Sequence, residues 1–149
     1  MILFLDFDGV LHPQYEGQPV PVDVAFCHLP RFEAVMRDFL EVEIVISSTW
    51  REQFSLDQLR ARFSADIAVK ITGTTLLQHQ AEPPRLVEQR EWEIVAWLEA
   101  QGRIDEPWIA LDDATWQFKH YRAHVVACTA YLGLDNSAET RLKSALANP

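Results

Sequence analysis

Short apolar runs alternate along the chain with segments in which apolar residues recur every three or four positions. Runs of β-branched and large apolar residues predict strands over Ile2–Leu5, Val42–Ile46, Ile67–Ile71, Trp108–Leu111 and Val125–Cys128. Helical spacing predicts helices over Arg31–Leu40, Glu91–Gln101 and Ser137–Ala147, and residues 55–58 resemble a capping box that opens another. Strands separated by helices favour parallel βαβ units, so we expect an α/β fold with three layers and about five parallel strands.

Length and composition narrow the class of protein. The 149 residues suit one domain, 1–149, with a proper hydrophobic core. The formal net charge of −9 disfavours non-specific binding to nucleic-acid backbones or anionic membranes. Two cysteines are too few for a disulfide framework, and no stretch approaches the roughly 20 apolar residues that span a bilayer. The first strand begins at Ile2 and leaves no room for a secretory leader, so we expect a cytoplasmic protein.

The first strand ends in two carboxylates and a glycine, Asp6-Phe7-Asp8-Gly9. Ligands of open α/β sheets gather beyond the carboxyl ends of the strands, which is where Asp6 and Asp8 fall. Two carboxylates this close repel each other and need a cation or a shared proton, and a divalent cation with oxygen ligands answers that need. A plain turn after a strand is the alternative interpretation, because Asp and Gly are also common turn residues.

Polar residues follow the other strands as well. Ser47, Ser48 and Thr49 end the second strand, and Asp112 and Asp113 end the fourth. Arg90 stands at the start of the helix after the 72–88 loop, where a cation is unfavourable unless an anion is near. The chain thus carries acids, hydroxyls and a cation at positions that parallel strands bring together.

These motifs, in this order, resemble the haloacid dehalogenase (HAD) superfamily of phosphohydrolases, which implies a Rossmann-like α/β/α fold. The closest match is Leu5-Asp6-Phe7-Asp8-Gly9-Val10. Three further segments are similar to the HAD-like domain of Swiss army knife RNA repair proteins: residues 47–51, residues 90–98 and residues 109–113. We expect the domain to stand alone in this chain.

The resemblance implies a Mg²⁺-dependent phosphatase with an aspartyl-phosphate intermediate. Asp6 would be the nucleophile, and Asp8 the acid and base that serves the leaving oxygen and then water. The metal ligands would be the Asp6 carboxylate, the Asp8 backbone carbonyl and Asp112 or Asp113, of which we rank Asp112 first because it follows the strand directly. Asp113 has the alternative of capping the next helix.

Two site positions stay open at this point. The hydroxyl that binds phosphate is Ser47 or Ser48, and we favour Ser48; Thr49 follows in the same segment. The superfamily usually has a lysine as its basic residue, whereas this chain offers Arg90, with Lys70 and Arg85 as rivals. We read the five histidines as structural or surface residues, with His12 the nearest to a substrate, and Trp50 as a core residue.

The gaps that hold caps in this superfamily, 11–30 and 72–89, are short, so we expect a capless enzyme with an open site. An open site suits a nucleic-acid end or closure by another subunit, whereas the acidic charge favours a nucleotide or another small phosphoester. The stretch that contains Trp116 and residues 119–122 could touch a nucleotide. The sequence is compatible with a monomer and with an oligomer.

Two non-enzymatic hypotheses compete. A receiver-like module phosphorylated on Asp needs a phosphoacceptor after the third strand, and the segment around Ile71-Thr72-Gly73 has no acid. A degenerate module that binds phosphate, Mg²⁺ or a partner without catalysis is disfavoured by the intact Asp6 and Asp8, although the fold alone does not decide the function.

Overall fold

A five-stranded parallel sheet forms the centre of the protein. The computed structural model describes residues 1–15, 17–75 and 88–148. The strands are β1 (Ile2–Leu5), β2 (Glu43–Ile46), β3 (Ile71–Thr74), β4 (Trp108–Asp112) and β5 (Val125–Ala127), in the order β3-β2-β1-β4-β5. All neighbouring strands are parallel, which confirms the expected sheet. Because β1 lies at the centre, its carboxyl end has β2 on one side and β4 on the other.

Helices cover both faces of this sheet. They are α1 (Leu29–Asp38), α2 (Leu56–Arg60), α3 (Ala65–Ala68), α4 (Gln89–Ala100) and α5 (Asn136–Ala147). Leu3 and Leu5 of β1 face the core that α1, α2, α3 and α5 share, whereas Ile2 and Phe4 face the second core, to which α4 contributes. Burial on both faces explains why β1 is a continuous apolar run rather than an alternating one. The three-layer α/β/α architecture is therefore confirmed.

The predicted helix over Arg31–Leu40 begins two residues earlier and ends two residues earlier than expected. Pro30 lies in the first turn of α1. A proline fits there because the first N–H groups of a helix have no intrahelical partner, so its missing N–H costs nothing. The predicted capping box is confirmed at α2, where the Ser55 hydroxyl accepts from the Gln58 N–H and the Gln58 side chain accepts from the Ser55 N–H.

The prediction of a third strand over Ile67–Ile71 is wrong. Residues 65–68 form α3, and the strand begins only at Ile71. In a strand, Ile67, Val69 and Ile71 would share one face, but Val69 is 80% exposed while the other two are buried. The two buried residues, Ile67 and Ile71, are four positions apart, which is helical spacing. A run of five residues is too short to distinguish the helical period of 3.6 from the strand period of 2.

No helix in the described part of the chain combines the length and the apolar character needed to cross a membrane.

Candidate active site

The carboxyl ends of β1, β2 and β4 bring three polar residues side by side. The Asp6 N–H donates to the Leu111 carbonyl (3.1 Å) and the Ser47 N–H donates to the Leu5 carbonyl (2.9 Å), so the sheet ladder continues one residue past β1 and β2. Asp112 is the last residue of β4. The side chains of Asp6, Ser47 and Asp112 are all buried at this edge. Three segments distant in sequence thus meet because the sheet order makes them neighbours.

The guanidinium of Arg90, in the first turn of α4, lies among these three side chains. Its Nη1 lies 3.4 Å from Asp6 Oδ2 and 3.2 Å from Asp112 Oδ2, and it donates to Ser47 Oγ at 3.5 Å. Burial alone would lower the pKa of Arg90, but the charges of Asp6 and Asp112 outweigh it and raise that pKa above the ordinary value. Arg90 is therefore a permanent cation in a buried acidic environment.

Asp113 completes a cluster of three acids. One carboxylate oxygen from each of Asp6, Asp112 and Asp113 lies within 4.8 Å of the others. Burial raises the pKa of Asp112 to about 7; the Arg90 charge opposes this and the Asp6 charge adds to it. Burial and the Asp6 charge raise the pKa of Asp113 to about 6. The single charge of Arg90 does not relieve the repulsion among three carboxylates this close.

One oxygen of Asp112 is buried without a hydrogen bond. Its Oδ1 accepts from the Ala114 N–H at 2.8 Å, whereas its Oδ2 accepts no hydrogen bond from any described residue and has the Arg90 guanidinium 3.2 Å away as an ion-pair neighbour. Buried polar atoms without a hydrogen bond are uncommon and call for an explanation. Hard oxygen ligands, mutual repulsion and a buried oxygen without a hydrogen bond all fit a divalent cation such as Mg²⁺.

Gly9 makes room for Asp113. Its φ of +68° is in the left-handed region, and a Cβ at this position would come within 2.5 Å of Asp113 Cγ. Glycine is required here on both counts, because any other residue would be strained and would displace the carboxylate.

The Asp8 carboxylate is held by two side chains. His12 Nε2 lies 2.9 Å from Asp8 Oδ1, and the Trp50 indole N–H donates to the two oxygens at 3.1 and 3.0 Å. The Phe26 N–H donates to His12 Nδ1, so we infer that the His12 proton sits on Nε2 and points at Asp8. Burial raises the pKa of Asp8, but the hydrogen bonds from His12 and Trp50 bring it below the ordinary value.

These contacts revise two interpretations of the sequence. His12 is fully buried and touches Asp8 rather than the exterior, and Trp50 combines core packing with a contact to the site. The spacing of four between Asp8 and His12 was one available signal. The indole N–H of Trp50 was another, because a partly buried tryptophan normally finds an acceptor.

The three hydroxyl residues after β2 differ in their surroundings. Ser47 Oγ faces Arg90, and Ser48 Oγ accepts from the Trp50 N–H at 3.4 Å as the cap of a 3-10 turn over Thr49–Glu52. Thr49 is exposed and lines a cavity of about 170 Å³, together with Asp6, Asp8, Gln14, Arg90, Asp113, Ala114, Trp116 and Gln117. Ser47 and Ser48 have no exposed surface and are not among the residues that line this candidate catalytic cavity.

Lys70 and Arg85 are the other two candidates for the basic residue of the site. Lys70 precedes β3 and thus lies at the amino end of that strand, away from the carboxyl ends at which the acids meet. Its ammonium donates to the carbonyls of Met36, Phe39 and Leu40 at the end of α1. Lys70 therefore caps a helix and does not reach the acid cluster. Arg85 falls outside the described residues.

Arg51 and Glu93 form a buried ion pair next to Arg90 that the sequence did not predict. Arg51 Nη1 donates to the Ser47 carbonyl (2.6 Å), and its Nη2 donates to Glu93 Oε2 (2.5 Å). Glu93 lies one turn beyond Arg90 on α4. The Arg90 N–H also donates to Gln117 Oε1 at 3.2 Å. The end of β2 and the start of α4 are thus tied together around the site.

The comparisons with known proteins give one family. A family model described as the HAD domain in Swiss Army Knife RNA repair proteins matches residues 2–138. No curated protein and no solved structure matches the chain significantly. The matched span includes every candidate site residue, from Asp6 to Asp113. The chain belongs to the family of HAD domains found in Swiss Army Knife RNA repair proteins.

Proposed function

We propose that the protein is a Mg²⁺-dependent phosphohydrolase that acts through an aspartyl-phosphate on Asp6. Family membership points to a HAD-type hydrolase. The observation that carries the finer proposal is the position of Arg90, a buried cation within 3.4 Å of both Asp6 and Asp112 at the edge of a cavity. A phosphate needs a nucleophile in line and positive charge around its oxygens, and this arrangement offers both.

The acid cluster is the metal site in this proposal. Asp6 and Asp112 would hold Mg²⁺ with the Asp8 backbone carbonyl, and Asp113 would be a further ligand or would bind a coordinated water. Support comes from the buried Oδ2 of Asp112, which makes no hydrogen bond to a described residue, and from the raised pKa values of Asp112 and Asp113. When bound, the ion supplies charge that lets a carboxylate approach a phosphate dianion.

The covalent steps belong to Asp6 and Asp8. An Asp6 oxygen attacks phosphorus, the bond from phosphorus to the leaving oxygen breaks, and Asp8 gives its proton to that oxygen. Asp8 then takes a proton from water, which attacks phosphorus and releases Asp6. Because His12 and Trp50 favour the carboxylate form of Asp8, the negative charge of bound phosphate is needed to raise the pKa of Asp8 for the first step.

Arg90 and the hydroxyls would bind phosphate oxygens. The guanidinium can make two parallel hydrogen bonds, although it must exchange part of its contact with Asp6 and Asp112 for the phosphate. Thr49 lines the cavity, so its hydroxyl is available to a substrate. In this proposal the hydroxyl of Ser47 or Ser48 donates to a phosphate oxygen. Ser48 remains our choice, because its oxygen accepts from the Trp50 N–H and its own proton is free to point elsewhere.

The substrate in this proposal is a nucleotide or the terminal phosphate of a nucleic acid. The family name supports a nucleic-acid end. The net charge of −9 disfavours long contacts with a phosphate backbone, so the enzyme would engage only the end of a chain.

Release of inorganic phosphate from p-nitrophenyl phosphate, nucleotides and phosphorylated oligonucleotides, with and without Mg²⁺, tests the proposal. We expect Mg²⁺-dependent turnover by the wild type and none by Asp6→Asn, with the circular dichroism of the variant unchanged. Turnover by Asp6→Asn at the wild-type rate would exclude Asp6 as the nucleophile. No turnover of any compound by the wild type would exclude the enzyme.

A further inference from the structure

A second cavity of about 570 Å³ adjoins the candidate catalytic cavity. The two share Gln14, Asp113 and Trp116 in their lining, so a ligand held at Asp6 can extend from one into the other. The volume lies within the range of about 300–1,000 Å³ that is typical of small-molecule sites. Apart from the shared Asp113, neither the proposed chemistry of phosphate transfer nor the proposed metal site uses the lining of this second cavity.

Two exposed aromatic side chains line it. Tyr15 is 50% exposed and Trp116 is 62% exposed, and they come from two different segments, the loop after β1 and the turn after β4. Exposed aromatic rings beside a catalytic cavity provide flat apolar surfaces for another flat ring. Stacking of a base on an aromatic side chain contributes roughly 1–3 kcal/mol, whatever the base.

The polar groups of the cavity suit a base as well. Gln14 and Gln18 each carry an amide with donors and an acceptor, which can pair with the edge of any base. Asp113 lies at the junction of the two cavities, where it would belong to the proposed metal site rather than to the base. A sugar or alkyl phosphate without a ring would leave both aromatic side chains exposed to water.

We propose that this second cavity is a base subsite, in which Tyr15 and Trp116 hold the base of the nucleotide whose phosphate lies at Asp6. The inference rests on the proposed function, because it takes Asp6 as the phosphate end of the site. The same chemistry is present in a free nucleoside monophosphate and in the terminal nucleotide of an oligonucleotide.

The test compares substrates with and without a base. We expect kcat/KM for AMP and UMP to exceed that for ribose 5-phosphate by about tenfold or more, and Trp116→Ala and Tyr15→Ala each to lower this ratio about tenfold. Trp116→Phe keeps a ring and should retain most of the ratio. Comparing AMP with 5′- and 3′-phosphorylated oligonucleotides shows which source of the nucleotide is preferred.

Two variants serve as controls. Tyr131 is 58% exposed but does not line this cavity, so Tyr131→Ala should leave the ratio unchanged. Phe54 lines a different cavity beside Asp8, of about 290 Å³. A fall in the ratio in Phe54→Ala but not in Trp116→Ala would move the base to that cavity and overturn the proposal, as would equal losses on AMP and ribose 5-phosphate in both ring variants.

Binding provides a readout that does not need turnover. Calorimetric titration of Asp6→Asn in Mg²⁺ should give an affinity for AMP about tenfold above that for ribose 5-phosphate, and the additional Trp116→Ala change should remove the difference. If the wild type hydrolyses none of the phosphoesters, the proposed function fails and this titration alone decides on the subsite. Equal affinities for AMP and ribose 5-phosphate would refute it.

Discussion

The Arg51 guanidinium and the Glu93 carboxylate form an ion pair of 2.5 Å in which both side chains are only 2% exposed. Arg51 follows β2, and Glu93 lies on the helix that carries Arg90. Burial lowers the pKa of Arg51, with the Glu93 charge opposing the shift. Because neither charge can reach water, each depends on the other, and the pair fixes α4 against the end of β2.

Removing one partner should therefore be costly. We expect Glu93→Ala to lower the free energy of unfolding by about 3–5 kcal/mol, because it leaves a buried guanidinium without its counter-charge. Urea denaturation measures this. The double variant Arg51→Met with Glu93→Leu should be more stable than the sum of the two single changes predicts. Strict additivity would mean that the pair does not interact.

Arg90→Ala should lower kcat/KM by about 10²- to 10³-fold, because a preorganised charge at the phosphate would be lost. Arg90→Lys should recover only part of this loss, since a lysine cannot make the two parallel hydrogen bonds. Lys70→Ala is the matched control, because Lys70 caps α1 away from the acids. A larger effect of Lys70→Ala on phosphate release would reassign the basic role.

His12→Ala should lower kcat about 10²-fold with little change in KM, because Asp8 loses one of the two side chains that orient it. His12→Gln can still donate to Asp8 and should restore part of the rate. His120, which is exposed and bonded to Glu91, provides the control His120→Ala with near wild-type kinetics. Equal losses in the alanine and glutamine variants would show that the imidazole matters for packing alone.

In the proposed metal site Mg²⁺ would bind the folded protein and relieve repulsion among the acids, so it should raise Tm by mass action. Asp112→Asn should remove most of this rise, since the Asp112 Oδ2, which makes no hydrogen bond, would be a ligand of the ion. Thermal denaturation with Mg²⁺ and with EDTA measures it. Asp105 lies on an exposed turn, so Asp105→Asn is the control and should leave the rise in Tm unchanged. An undiminished rise in Asp112→Asn would place the ion elsewhere.

Glu91 gives a pH-dependent prediction for stability. Burial raises its pKa, but the N–H groups of Tyr121, Lys119 and His120 and the His120 side chain donate to the carboxylate and bring the pKa below its ordinary value of 4.5. A lowered pKa means that the stabilisation is complete above about pH 4.5 and is lost as the pH falls through the folded-state value.

Glu91→Gln should therefore cost about 1.5–3 kcal/mol at pH 7, the range for hydrogen bonds to a charged group, and less at pH 3. Denaturant melts at the two pH values measure the difference, with the exposed Glu99→Gln as a control. A cost that does not change with pH would mean that the charge of Glu91 is unimportant.

Local pattern was enough to predict the fold and the edge at which the candidate site lies. β1 and β4 are buried on both faces, so each is an apolar run, and the first polar residue after the run marks the end of the strand. For this reason the sequence alone predicts that Asp6 and Asp112 lie together at one edge of the sheet. Their catalytic and metal-binding roles stay predictions.

The contacts that orient the site depend on packing and not on local pattern. The indole N–H of Trp50 indicates that an acceptor is needed, but nothing in the neighbouring sequence identifies Asp8 as that acceptor. Nor does it indicate that Arg51 would meet Glu93 on a distant helix. The strand predicted over Ile67–Ile71 was wrong for a different reason, because a few apolar residues fit a helical turn and a strand equally well.

The close approach of Gly9 to Asp113 sets a limit on how this site can change. The backbone of Gly9, in the loop after β1, meets the carboxylate of Asp113, in the loop after β4, without space for one methyl group. A side chain at position 9 would therefore turn the Asp113 carboxylate away from Asp6 and Asp112. The absence of a side chain at one residue thus decides whether the third acid can stay in the cluster.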